Sequence, residues 1–155
     1  MQLRDIMTHD VETIRPDASL QAAAQMMAAL DVGMLPVVEG DKLLGSITDR
    51  DVTVRATARG LDPKETSVRR AMTVNLISAA ESQPISYALQ LMMDLQIRRL
   101  PILDEHKKLV GIISLGDLAK VIDDKHMAGR ALERISEPEV LRAEPEQLPE
   151  SAAAR

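Results

Sequence analysis

Thr48 and Asp51 stand three residues apart, and Ser114 and Asp117 repeat the arrangement. Each pair falls where a strand should give way to a helix. A hydroxyl at a strand end, with a carboxylate in the first helical turn, offers acceptors to the two hydroxyls of a ribose cis-diol. Backbone N–H groups at the same helix start favour a phosphate. The spacing is equally that of an ordinary helix cap, in which the hydroxyl accepts a backbone N–H. The isolated fragment favours the cap; its paired context favours a ligand. Basic residues lie close in sequence: Arg50 beside Asp51, and Arg98 with Arg99 just before an apolar run. Either arginine of the second pair could equally belong to a solvated surface.

Other chemistry finds little support. His9, His106 and His126 are scattered and there is no cysteine, so zinc-ligand spacing is missing. Asp49 and Asp51 could touch a magnesium ion carried by a nucleotide, although acidic residues are ordinary at a helix start. There is no glycine-rich phosphate loop with a lysine. No triad sets a nucleophile beside a histidine and an acid. The expectation is a protein that is not an enzyme.

The elements that must position these residues occur twice. Met7-Thr8 returns as Met72-Thr73, and Leu35-Pro36 as Leu100-Pro101, at an offset of 65 residues. Gly45 and Gly111 are 66 apart, so one residue has been added in the intervening turn. Each copy is short for a domain, which predicts a shared core and matching grooves where the copies meet. In the first copy, periodicity predicts a strand at 11–14 and a helix capped by Ser19 that ends near Leu30. A hairpin should follow at 35–48, then a second helix stopped near Gly60. The second copy repeats that order, with a short strand within 73–78, a helix from Gln83-Pro84, a hairpin at 100–114 and a last helix carrying Leu118, Val121 and Ile122 on its inner side. Residues 60–68 link the copies. Beyond His126 the repeat has no counterpart; Leu132 and Ile135 could continue a helix, while Pro138, Pro145 and Pro149 argue for a partly mobile extension.

The 155-residue chain has one aromatic residue, Tyr87, and nine methionines. Its core should therefore be aliphatic, with Met26, Met27, Met92 and Met93 available on helical faces either for packing or for contact with another chain. A formal charge of −5 opposes a nucleic-acid footprint. No signal peptide or membrane span is legible, so the expected setting is the cytoplasm.

The order strand–helix–strand–strand–helix, run twice, resembles a tandem pair of cystathionine-beta-synthase (CBS) domains, or Bateman module. The likeness covers roughly residues 3–124. It rests on Asp5-Ile6-Met7-Thr8 and on the stretches 32–51 and 97–117. It implies an α/β (α+β) fold of two pseudo-symmetric repeats, each a small three-stranded sheet packed by two helices. The repeats would occupy 3–62 and 63–125, with 126–155 as an extension. The family's ribose and phosphate signature is Gly, a hydrophobic residue, any residue, Thr or Ser, two further residues, then Asp. Gly45 to Asp51 fits with Ser46 in the hydrophobic slot as its departure; Gly111 to Asp117 fits cleanly.

By the same resemblance, adenine would lie against Thr13, Ile14, Met34 and Pro36 in the first copy, and against Ile77, Ser78, Arg99 and Pro101 in the second. Arg99 would meet a phosphate, where the first copy has Met34; Arg50 could compensate there. The second copy is thus the better place for a phosphorylated ligand. Implied ligands are AMP, ADP, ATP or S-adenosylmethionine, with magnesium where a nucleotide carries it. The implied role is a stand-alone, non-catalytic sensor that forms a homodimer and signals to an unidentified regulated protein. The alternative is a ligand-independent dimerisation or adaptor protein.

Overall fold

Branched and aliphatic residues alternate with prolines and small residues around two tight turns, and each turn closes a hairpin. In the computed structural model, which describes residues 1–122 and 125–137, the first hairpin is β1 (Met34–Glu39) against β2 (Lys42–Thr48). Gly40 makes the turn at φ 61°, a left-handed conformation that costs glycine little. Leu35, Val37 and Ile47 are fully buried. The second hairpin is β5 (Arg99–Leu103) against β6 (Leu109–Ser114). The expectation for residues 138–155 lies outside the described residues.

Ahead of each hairpin runs an amphipathic helix of 11 residues, α1 (Leu20–Leu30) and α4 (Ile85–Leu95). Ser19 caps α1 by accepting the Ala22 N–H at 3.0 Å. Both helices stop at a left-handed residue, Asp31 (φ 53°) and Gln96 (φ 52°), 65 positions apart. After each hairpin the chain turns into a helix. The first is α2 (Asp49–Asp51), prolonged by a wide π turn at Val52–Ala56 and a 3-10 turn at Thr57–Arg59, and ended by Gly60 at φ 68°. The second is α5 (Leu115–Val121), followed by α6 (Lys125–Ser136).

The predicted strand at 11–14 shrinks to a single bridged residue, Ile14, which pairs with Val37. Asp10 is left-handed (φ 52°), so the chain reaches extended pairing only at Ile14. Its counterpart is the two-residue β4 (Ala79–Ala80), parallel to β5.

Two separate cores replace the single shared one that the sequence suggests. One gathers Ile14, Leu20, Leu35, Val37 and Ile47 with Val68, Ala71 and Met72; the other gathers Leu89, Leu100, Ile102 and Ile113 with Leu3 and Met7. The cores are nevertheless interlocked. The 3-10 turn Leu3–Asp5 and the four-residue α3 (Val68–Ala71) each pack with the other repeat's hairpin. Matching hydrogen bonds fasten them: Leu3 N–H to Gln83 O at 2.9 Å, and Val68 N–H to Ala18 O at 2.8 Å. Beyond α3, β3 (Thr73–Val74) joins the β1-β2 sheet, while Thr8 bridges Ile112 on β6.

Gly45 and Gly111 accommodate this crossing. A Cβ on Gly45 would collide with the Thr73 carbonyl and the Met72 side chain. On Gly111 it would lie 2.5 Å from Met7 Sδ and 3.0 Å from Thr8 O. Their close backbone approach serves the chain's own Met-Thr segments rather than a bound molecule. Of the methionines expected on helical faces, Met27 and Met92 are core residues, and only Met26 and Met93 sit at its partly exposed edge.

Candidate functional site

Strand register places the two hydroxyl–carboxylate pairs. Met34 is the cross-strand partner of Thr48, and Arg99 of Ser114, so each member of a pair projects from the same sheet face. Asp49 N–H donates to Gly33 O at 3.1 Å and Leu115 N–H to Arg98 O at 2.9 Å. These bonds clamp each helix start to the residue that opens its hairpin.

Both pairs form complete capping boxes. Thr48 accepts the Asp51 N–H at 3.0 Å, and Asp51 Oδ2 accepts the Thr48 N–H at 3.0 Å. Ser114 accepts the Asp117 N–H at 3.2 Å, while Asp117 Oδ2 accepts the Ser114 N–H at 2.9 Å and its hydroxyl at 2.6 Å. One oxygen of each carboxylate is thus committed to the cap. The second oxygens differ. Asp51 Oδ1 lies 3.6 Å from Arg55, which also donates to Ala71 O and Met72 O at 3.0 Å each; this carboxylate side chain is only 13% exposed. Asp117 Oδ1 lies 3.8 Å from Lys120, a largely exposed side chain, and is itself 28% exposed. The second repeat therefore holds the more available acceptor.

Where the two hairpins meet, a groove of about 350 Å³ is lined by Met34 and Ser46 of the first repeat. The rest of the lining is Thr73, the strand neighbour of Ser46, with Asn75, Leu76, Ile77, Ile97, Arg98, Arg99 and Pro101. It brings together four of the residues expected from sequence: Met34, Ile77, Arg99 and Pro101. Ser114 adjoins it through its pairing with Arg99. The others are dispersed. Thr13 lines a groove of about 610 Å³ near the first hairpin turn, and Ser78 one of about 470 Å³ near the second. Ile14 is a core residue, Pro36 is buried beside Ser46, and Arg50 is exposed on α2.

Sequence reasoning did not pick out Ser46, Thr73 or Asn75 as groove residues. Ser46 had a signal in its departure from the hydrophobic slot; it is 5% exposed. Asn75 is left-handed (φ 56°), as is Asp10 at the related position. Among the described residues no group of three or more His, Asp or Glu side chains is placed to hold a metal, and no helix is long and apolar enough to cross a membrane.

Comparison with known proteins adds to this geometry. The family described as the CBS domain matches residues 3–56 and 68–124. The CBS domain-containing protein YhcV of Bacillus subtilis is 44% identical over 134 residues, covering 86% of this chain and 94% of its own. The structure of CBSX2 in complex with AMP is similar with a TM-score of 0.67 and 25% identity, covering 77% of this chain and 93% of that one. The CBS domain pair of protein MJ0100, in complex with 5-methylthioadenosine and S-adenosyl-L-methionine, has a TM-score of 0.69 and 26% identity, covering 78% and 94%.

Proposed function

The chain belongs to the CBS-domain family as a tandem pair, a non-catalytic regulatory module, and on that premise we propose that it binds an adenosine-containing ligand in the seam groove of its second repeat. The observation that carries this reading is the asymmetry between the repeats. The second offers Asn75, Ile77, Arg98 and Arg99 on the groove. The related positions of the first, 65 residues earlier, are Asp10, Glu12, Gly33 and Met34. A phosphate is attracted by the former set and repelled by the latter. The ribose is assigned to the freer oxygen of Asp117, which stands outside the groove lining at the helix start that Ser114 caps beside Arg99. The ligand complexes of CBSX2 and MJ0100 support the adenosyl class, and Arg99 favours a phosphate-bearing form such as AMP. The same reading has the bound state passed to a partner protein, in the cytoplasm.

Calorimetric titration of protein refolded free of ligand, with AMP, ADP, ATP and S-adenosylmethionine in turn, tests this. One binding event that Asp117→Ala weakens strongly supports it; no heat with any of the four defeats it. A second reading, an adaptor that dimerises without ligand, is favoured by Leu30 and Leu95, related apolar residues that are each 41% exposed.

A further inference from the structure

The grooves at the two hairpin turns are related by the internal repeat, yet they carry opposite charge. The first is lined by His9, Asp10, Asp41, Glu81 and Lys108 among others. There Asp41 of the first repeat takes Lys108 of the second at 2.8 Å. This closes the rim with an ion pair, and the contact raises the lysine above its ordinary pKa. The 66-residue offset that holds beyond the inserted turn residue turns Asp41 into Lys107 and Lys108 into Lys42. Both lysines line the second groove. Where one groove has a salt bridge, its twin has two ammonium groups. Among the described residues no acid pairs with either. The third cation of that groove, Arg69, is shared with Glu39 at 3.4 Å.

We propose that this second groove is an anion site for a small phosphate ester, adjoining the seam groove and sharing Asn75 and Leu76 with it, in which Lys42 and Lys107 take the phosphate and the apolar floor takes the ester body. Its volume of about 470 Å³ suits a molecule of that size. Leu43, Leu44, Met72, Leu76 and Leu103 supply the floor, and Asn75 and Ser78 supply neutral polar groups. Like charges on one groove repel, and a dianion between them removes that repulsion while gaining charge-assisted hydrogen bonds. Inorganic phosphate would use the lysines alone; an ester adds burial of its apolar part.

Thermal melts and calorimetry with phenyl phosphate, inorganic phosphate and sodium chloride at matched ionic strength test the site. Wild-type protein should be stabilised most by phenyl phosphate, less by inorganic phosphate and least by chloride. Lys107→Asp recreates the ion pair of the other groove and places a residue that tolerates φ 62° better than lysine does. This variant should melt higher in chloride and bind phenyl phosphate about tenfold more weakly. Lys42→Gln should lose affinity similarly, whereas Arg99→Ala, in the seam groove, should keep it. Equal response of wild type and Lys107→Asp to the phosphates overturns the proposal, as does a wild type no more responsive to them than to chloride. Loss of phosphate binding in Arg99→Ala but not in Lys107→Asp would assign the anion to the seam and overturn it too. Because phenyl phosphate lacks adenosine, these results stand apart from any failure of the adenosyl reading.

Discussion

Ser114 and Asp117 serve the fold before they serve any ligand. Their hydrogen bonds satisfy backbone donors that a helix start leaves open, and Thr48 with Asp51 does the same in the first repeat. Removing either hydroxyl, as Thr48→Ala or Ser114→Ala, should therefore cost about 1 kcal/mol of stability, measurable by urea unfolding. The two variants should part company on ligand binding. Ser114→Ala should also weaken AMP, while Thr48→Ala should leave it unchanged, because Asp51 is already held by Arg55. Equal loss in both variants would mean that the cap alone governs the result. The sequence spacing made both boxes legible. It could not show that one carboxylate is tied to an arginine and the other to an exposed lysine, since those contacts depend on how each helix continues. The wide turn at Val52–Ala56 accompanies that difference in the first repeat.

Among the elements, the hairpins and long helices follow directly from local pattern. Their turns, caps and alternating apolar residues all lie within a few positions of one another. The crossing of the head segments does not. Leu3 and Met7 complete a core whose other members begin at Ala79, and nothing within a window of local sequence announces a partner so distant. For the same reason Thr73 and Asn75 were not legible as groove residues: the crossing carries them to the seam. The two glycines record it. Gly45→Ala, with no room for a methyl beside Thr73, should destabilise by roughly 1–3 kcal/mol. Leu3→Ala should cost about 2–5 kcal/mol. Hydrogen exchange should show that loss in β5 and β6 rather than in β1 and β2. Faster exchange confined to the first hairpin would refute the interlocked packing.

For the whole molecule, duplication gives two chemically different halves on one frame. Paired left-handed residues, paired caps and paired head segments keep the frame symmetric, while charge breaks the symmetry at each groove. Leu30, Val32, Leu95 and Tyr87, on or just beyond α1 and α4, are each over two-fifths exposed, apolar positions that a second copy would cover. Light scattering should accordingly give twice the 17.0 kDa chain mass. A strictly monomeric species at every concentration would count against a homodimer built on that surface. Titrating AMP and adenosine into wild-type and Arg99→Ala protein, and comparing the four affinities, isolates phosphate recognition by Arg99. The predicted result is that wild type binds AMP more tightly than adenosine and that the variant loses about tenfold on AMP alone. Equal losses for both ligands, or no binding of either by the wild type, would contradict it.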